Sequence, residues 1–121
     1  MQQYLRFIGS GNDDLINGGT AAVANRFKGG GGNDLIDGGA GADTLEGEAG
    51  SDTLTGGLGA DYLDGGASND TALYLGTTAV SVNLSGSGVH VNDGAAIDTL
   101  VSIESILGSD AADTFSGFAD A

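Results

Sequence analysis

The chain has 121 residues, of which 24 are glycine and none is proline or cysteine. Its 17 acidic side chains face only 3 basic ones, which gives a formal net charge of -14. The length allows one domain, and the lack of cysteine excludes disulfides and thiolate metal sites. The charge disfavours nucleic-acid binding, because the chain would be repelled by the phosphate backbone.

The acidic residues are mostly aspartates, whose short side chains favour oxygen ligation of a hard cation. No apolar run approaches the ~18 residues of a membrane span, and the amino terminus lacks the pattern of a cleavable signal. The sequence therefore predicts neither a membrane-spanning segment nor secretion by a cleaved signal peptide. A disordered acidic linker is the alternative that this composition leaves open.

Residues 1–8 precede the first glycine-rich stretch and are predicted to form a lead-in strand or cap. Residues 9–17, GSGNDDLIN, then place Asp14 at the sixth position and Ile16 at the eighth position of a nine-residue unit. The next unit, 18–28, has eleven residues and carries Asn25 and Phe27 at the corresponding positions. An irregular turn with a two-residue insertion is therefore expected within 18–28.

Five uninterrupted nonapeptides follow over residues 29–73: GGGGNDLID, GGAGADTLE, GEAGSDTLT, GGLGADYLD and GGASNDTAL. The sixth position is aspartate in every unit, namely Asp34, Asp43, Asp52, Asp61 and Asp70. The eighth position is aliphatic, namely Ile36, Leu45, Leu54, Leu63 and Ala72. This regularity disfavours a disordered linker, while the glycine spacing excludes collagen and the glycine density disfavours an α-helix.

Each unit is expected to form a glycine-rich turn of six residues and a short strand of three residues with one inward aliphatic side chain. Two units make one coil of 18 residues, so alternate units stack on the same edge. One edge, called the Asp52 edge below, is predicted to carry Asp14, Asp34, Asp52 and Asp70. The opposite edge, called the Asp43 edge, is predicted to carry Asn25, Asp43 and Asp61.

These units resemble the RTX or hemolysin-type calcium-binding nonapeptide, G-G-x-G-x-D-x-U-x, in which U is a large aliphatic residue. The resemblance implies an all-β fold, a right-handed parallel β-roll with calcium ions between stacked turns. In that family a turn supplies its position-six carboxylate and the carbonyls of positions two and four. The stacked turn supplies the carbonyls of positions one and three.

Carried over to this chain, the resemblance implies several ligand sets and about 4 to 5 calcium ions. The clearest sets are Gly30, Gly32 and Asp34 with Gly47 and Ala49; Gly39, Gly41 and Asp43 with Gly56 and Leu58; and Glu48, Gly50 and Asp52 with Gly65 and Ala67. Asp61 with Gly57 and Gly59, and the carboxylates Asp14 and Asp70, are further expected ligands. The weakest sites are expected where Asn25 or the loop at Asn12 takes part.

Residues 74–107 contain less aspartate and glycine and are predicted to be a β-rich segment that caps or continues the roll. Extended stretches are expected around 80–84, 89–91 and 100–106. Residues 108–121 begin with GSDAADTFSG, which repeats the layout of residues 9–18 with an offset of 99 residues, 108 minus 9. This offset indicates the start of a further repeat block in a longer protein, and the alternative is a terminal half-repeat that serves as a cap.

Catalysis is not expected, because His90 is the only histidine and no paired nucleophile or two-histidine zinc motif is present. The stretch from Asn92 to Gly94 lacks the spacing of an EF-hand and is interpreted as an ordinary turn. Calcium sites in place of a large apolar core predict a chain that is unfolded without calcium and folded with it.

The resemblance implies a noncatalytic calcium-binding module of a secreted, extracellular bacterial protein, such as a protease, lipase or polysaccharide-modifying enzyme, exported by type I secretion. An uncleaved secretion signal is then expected beyond the carboxyl end of this segment. The alternative is an adhesin-type module that contacts a polysaccharide, a cell surface or ice. Its candidate contact residues are the position-seven side chains Thr44, Thr53, Tyr62 and Thr71.

Overall fold

The computed structural model describes residues 6–20, 22–74, 81–83, 89–92, 96–108 and 114–116, and every regular element within these ranges is a β-strand. The strands are β1 (Arg6–Ile8), β2 (Leu15–Asn17), β3 (Arg26–Gly30), β4 (Leu35–Asp37), β5 (Thr44–Ala49), β6 (Thr53–Thr55), β7 (Tyr62–Ala67), β8 (Thr71–Leu73), β9 (Ser81–Asn83), β10 (Val89–Asn92), β11 (Ile97–Val101), β12 (Ser105–Leu107) and β13 (Thr114–Ser116). No helix in the described ranges is long and apolar enough to cross a membrane.

Successive strands of the repeats alternate between two sheets. One sheet has the order β1-β3-β5-β7-β11-β10-β9-β13, and the other has the order β12-β8-β6-β4-β2. Within the repeats the strands pair in parallel, and Leu45 of β5 lies opposite Leu63 of β7, which is 18 residues further along the chain. The fold is therefore a β-solenoid of about 4 turns, as the sequence predicts.

The core is a double row of aliphatic side chains between the two sheets. In each short strand the middle residue points inward, so that Ile36, Leu45, Leu54 and Leu63 are fully buried. The alternation of side chains along a strand explains this, because only one residue of a three-residue strand faces the interior. Each coil therefore contributes only two core side chains, and Ala72 is the smallest of them.

The irregular turn at 18–28 carries its two extra residues in one place. Gly39 packs on the backbone of Gly19, while Gly41 packs on that of Val23, and Ala22 forms a bridge with Ala40. The offset between stacked residues thus changes from 20 to 18 between Gly19 and Ala22. After this point Phe27 is buried in register with Leu45, so the core row continues without a shift.

Strands β11 and β12 add one further strand to each sheet of the roll. Strand β11 continues the first sheet, with Leu100 opposite Leu63, and β12 continues the second, with Ile106 opposite Ala72. Strands β10 and β9 extend the first sheet in antiparallel fashion. The prediction of one extended stretch over 100–106 is wrong, because Ser102 adopts a φ of 52° and turns the chain from one sheet to the other.

The two stretches related by the 99-residue offset lie on opposite sheets. Strand β1 belongs to the eight-stranded sheet and its counterpart β12 to the five-stranded sheet, while β2 and its counterpart β13 show the reverse. The predicted counterpart of Asp14, Asp113, lies outside the described residues.

Two repeat positions hold a side chain in a backbone conformation that favours glycine. Glu48 at position two has a φ of 78°, and Ser68 at position four has a φ of 86°. Left-handed backbone costs a residue with a Cβ atom roughly 1–2 kcal/mol. We therefore expect Glu48→Gly to raise the free energy of unfolding of the calcium-loaded protein by about 1 kcal/mol in urea titrations.

The matched control is Glu46→Gly in the same strand. Glu46 lies in regular strand backbone and its carboxylate is 3.4 Å from the Lys28 ammonium, so glycine there is expected to lower stability by about 0.5–1 kcal/mol. A loss of stability in both variants would contradict the argument from backbone strain.

Candidate functional site

The position-six aspartates of the Asp52 edge are joined by hydrogen bonds that run along the roll. The Asp14 N–H donates to Oδ1 of Asp34, and the Asp34 N–H donates to Oδ1 of Asp52, both at 2.7 Å. The Asp52 N–H donates in turn to Oδ1 of Asp70 at 2.8 Å. Each carboxylate therefore accepts the position-six backbone N–H of the turn before it.

The Asp43 edge repeats the same arrangement. The Asn25 N–H donates to Oδ1 of Asp43 at 2.7 Å, and the Asp43 N–H donates to Oδ1 of Asp61 at 2.8 Å. The structure thus places the position-six residues on two edges as the 18-residue coil predicts. All of them from Asn25 to Asp70 are buried.

The second carboxylate oxygen is the unusual feature of these edges. Within the described part of the chain, Oδ2 is buried without a hydrogen-bond partner in four aspartates, namely Asp34, Asp43, Asp52 and Asp70. A buried carboxylate oxygen accepts hydrogen bonds or binds a cation, and leaving it without either costs about 1–3 kcal/mol or more. The repetition of this atom in four turns indicates that a cation is its partner.

A position-one glycine leaves a gap beside each of these oxygens. A Cβ atom added to Gly47 would collide with Oδ2 of Asp52 and would lie 2.7 Å from the carbonyl oxygen of Gly65 on the next stacked turn. On the Asp43 edge, a Cβ atom on Gly38 would meet Oδ2 of Asp43 and the Gly56 carbonyl oxygen at 2.8 Å. We call the space shared by a position-one glycine, its Oδ2 atom and the facing carbonyl the glycine gap.

The charges of these carboxylates are disfavoured in the fold without a cation. Burial, together with the neighbouring carboxylates Asp34 and Asp70, raises the pKa of Asp52 to about 6. Burial likewise raises the pKa of Asp34, Asp43 and Asp70, and Glu104 adds to the effect at Asp70. A bound cation would reverse this effect by stabilising the charged form.

The carbonyls expected as ligands lie on the turns that face these gaps. At positions two and four the backbone has positive φ, for example 95° at Gly30 and 96° at Gly32, and each of these residues stacks on the equivalent residue of the preceding coil. Gly57 and Gly59 stack in the same way on Gly39 and Gly41. The Ala49 and Ala67 backbones are paired in register.

Some of these carbonyls also take part in backbone hydrogen bonds. The Leu58 N–H donates to the Gly39 carbonyl, and the Gly41 N–H donates to the Leu58 carbonyl, both at 2.8 Å. A carbonyl oxygen has two lone pairs, so one hydrogen bond leaves it able to bind an ion. No group of three carboxylate or histidine side chains converges among the described residues, so an ion in a gap would draw most of its ligands from carbonyls.

The sequence of these turns matches the model of a known repeat family. The model of the RTX calcium-binding nonapeptide repeat, in 4 copies, matches residues 22–54 and 37–72. Residues 22–72 are RTX calcium-binding nonapeptide repeats. A comparison with curated proteins finds no match to the chain. The RTX repeats in a β-solenoid support a calcium-binding module, and this repeat family is typically noncatalytic.

Two residues at the amino-terminal end of the RTX roll depart from the common arrangement. The Asn25 side-chain amide donates to the Gly38 carbonyl at 2.9 Å, so a hydrogen bond lies where the next turns have a gap. Asp14 is partly exposed, and its Oδ2 accepts the Ser10 N–H at 2.7 Å. That calcium sites weaken toward this end stays a prediction.

Two acidic residues beyond the RTX repeats extend the edges, and the sequence analysis missed both. The Asp61 N–H donates to Oδ1 of Asp98, and the Asp70 N–H donates to Oε2 of Glu104, both at 2.8 Å. The Tyr74 hydroxyl donates to Oδ2 of Asp98. A sequence signal existed, because Asp98 begins the triplet D-T-L that also begins at Asp43 and Asp52.

The position-seven side chains form rows on the outer faces of the RTX roll. Thr44 is in register with Tyr62 on the first sheet, and Thr53 is in register with Thr71 on the second. Tyr62 is exposed, whereas the three threonines are half-buried. The stacking therefore follows the sequence prediction, while ligand binding by these rows stays a prediction.

Proposed function

We propose that the chain is a noncatalytic calcium-binding module of a secreted bacterial protein, which folds on binding calcium outside the cell and supports the secretion and stability of a larger protein. The observation that carries this proposal is the repeated buried Oδ2 atom beside a glycine gap. A fold that buries four such oxygens needs cations to be stable. RTX repeats are typical of secreted bacterial proteins, which supports the extracellular part.

Calcium fits these sites better than other common metals. The available donors are carboxylate and carbonyl oxygens, and calcium accepts six to eight oxygen ligands in flexible geometry at about 2.3–2.6 Å. Softer metals favour thiolate or imidazole ligands, and the chain contains no cysteine. Magnesium requires a near-octahedral site and retains several waters, which suits these carbonyl-rich gaps less well.

We propose the ligands residue by residue by carrying the pattern of the RTX family over to the stacked turns. Each ion would lie between a turn that supplies positions two, four and six and the stacked turn that supplies positions one and three. The sets are Gly30, Gly32, Asp34, Gly47 and Ala49; Gly39, Gly41, Asp43, Gly56 and Leu58; and Glu48, Gly50, Asp52, Gly65 and Ala67. Asp61 with Gly57 and Gly59 would form a related site, and Asp14 a weaker one.

Low affinity suits a module that works outside the cell. Each gap holds one buried carboxylate, and sites with little ligand charge bind calcium weakly, at about 10⁻⁴–10⁻³ M in extracellular modules. Such sites stay empty at cytosolic calcium levels and fill at extracellular levels. The chain would then leave the cell unfolded and fold after export.

The test is to fill one gap with a methyl group. We expect Gly47→Ala to bind one calcium ion fewer than the unmodified chain in isothermal titration calorimetry, because its Cβ atom would occupy the space between Asp52 and Gly65. It should also need more calcium to fold.

The matched control is Gly11→Ala, since a Cβ atom there meets nothing within 4 Å. This variant is expected to bind as many ions as the unmodified chain. An unchanged ion count in Gly47→Ala would contradict the assignment of calcium to the gaps.

A further inference from the structure

The last glycine gap on the Asp52 edge is closed by a residue from beyond the repeats. A Cβ atom added to Gly65 would collide with both Oδ2 of Asp70 and the carbonyl oxygen of Ser102. In the preceding turns the facing carbonyl belongs to a position-one glycine, such as Gly65 itself opposite Gly47. Ser102 therefore takes the place of the position-one carbonyl in the final gap.

A shortened turn brings Ser102 to this place. Asp61 and Asp70 are nine residues apart, whereas their partners Asp98 and Glu104 are six apart, 104 minus 98. Ser102 precedes Glu104 by two residues, as position four precedes position six, and it shares the positive φ of Ser68. The turn thus lacks three residues of the repeat but keeps a carbonyl at the gap.

Asp70 provides an independent indication that this gap takes a ligand. Its side chain is fully buried, and its Oδ2 has no hydrogen-bond partner among the described residues. Glu104, whose Oε2 accepts the Asp70 N–H, adds a second negative charge beside it. The Asp70 carboxylate and the facing Ser102 carbonyl are hard oxygen donors, which favour a divalent cation.

Both ends of the Asp43 edge differ from the last glycine gap of the Asp52 edge. At its first turn the Asn25 amide donates to the Gly38 carbonyl, and at its last turn the Tyr74 hydroxyl donates to Oδ2 of Asp98. These neutral donors occupy the positions where a cation would bind elsewhere. The contrast shows that this chain closes some gaps with hydrogen bonds, and the Asp70 gap has no such donor in the described residues.

We propose that Asp70 and the Ser102 carbonyl form a calcium site that joins the repeats to residues 96–107, beside the hydrogen bond from the Asp70 N–H to Glu104. The proposal rests on the proposed function, since it assumes that the glycine gaps bind calcium. It adds a site whose ligands come in part from outside the repeats. An ion there would make the ordering of the segment after the repeats depend on calcium.

The direct test is anomalous diffraction from crystals of the unmodified chain grown with calcium. A calcium peak between the Asp70 carboxylate and the Ser102 carbonyl is the expected result. Peaks at Asp34, Asp43 and Asp52 without one at Asp70 would overturn this inference alone. The absence of peaks at every gap would instead contradict the proposed function.

A pair of exchanges tests the same site in solution by native mass spectrometry. Asp70→Asn is expected to fold and to bind one ion fewer, because its amide would donate to the Ser102 carbonyl as Asn25 does to Gly38. The reverse exchange, Asn25→Asp, replaces that donor by a carboxylate and is expected to add one ion.

An Asp70→Asn chain with the full ion count would overturn the assignment of an ion to Asp70. An Asn25→Asp chain that gains no ion would contradict the rule that an amide closes a gap. If Asp70→Asn fails to fold in calcium, the diffraction experiment decides between a missing ion and a structural defect.

Discussion

Removing calcium is expected to abolish most of the β-structure of this chain. Each coil buries only two core side chains, while four aspartates bury an oxygen that has no hydrogen-bond partner in the described residues. Stacked carboxylates are about 5 Å apart, the spacing of neighbouring strands, and they repel one another. Ordering 24 glycines adds a large entropic cost that a core of this size does not offset.

Far-UV circular dichroism during a calcium titration measures this effect. The chain should change from coil to β-structure in one cooperative step in the high-micromolar to millimolar range. Magnesium at the same concentrations is the control, because it supplies equal ionic strength and screening without fitting the gaps. Retention of the full β-signal in excess chelator would contradict the proposed folding switch.

Acid is expected to favour folding of the calcium-free chain. Burial raises the pKa of Asp52 from 3.8 to about 6 in the folded chain, while the unfolded chain keeps the ordinary value. The folded state therefore binds protons more tightly than the unfolded state. Stability without calcium should rise as the pH falls through about 6 toward 3.8, and Asp34, Asp43 and Asp70 shift in the same direction.

The opposite dependence is expected when calcium is present, because protons and calcium compete for the same carboxylates. Circular dichroism in calcium-free buffer at about pH 7.5 and about pH 5 measures the first effect, and calcium titrations at both pH values measure the second. Asp52→Asn is the matched variant, and its calcium-free stability should depend less on pH. A calcium-free chain that loses β-structure on acidification would show that the buried carboxylates do not limit folding.

The nine-residue period was sufficient to predict the solenoid and the two edges. A fixed period of aspartate and aliphatic positions determines which residues stack, so the placement of Asp34 over Asp52 follows from counting. The same count locates the insertion within residues 18–28, since Phe27 must return to the core. Local spacing carries this information because neighbouring coils are identical in length after the insertion.

The end of the roll could not be predicted in this way. Residues 75–95 separate Asp98 from the repeats, and the turn before Glu104 is three residues short, so neither acid falls on the nine-residue count. Glutamate also replaces aspartate at 104, which hides the pattern further. The Asn25 gap is occupied by a hydrogen bond from the Asn25 side-chain amide to the Gly38 carbonyl. The nine-residue period does not predict this bond, because the orientation of the amide is set by the facing carbonyl.

The amide hydrogen bonds to the position-six carboxylates all have the same direction. The backbone N–H of Asp34 donates to the Asp52 carboxylate, and that of Asp52 donates to the Asp70 carboxylate. The backbone N–H of Asp70 donates in turn to the Glu104 carboxylate. Each position-six amide thus lacks this partner until the turn after it has formed. Backbone amides of later turns, such as the Thr53 N–H that donates to the Asp34 carbonyl, depend in the same way on the turn before them. Neighbouring turns therefore complete each other, and a single turn is not expected to be stable before its neighbours have been synthesised.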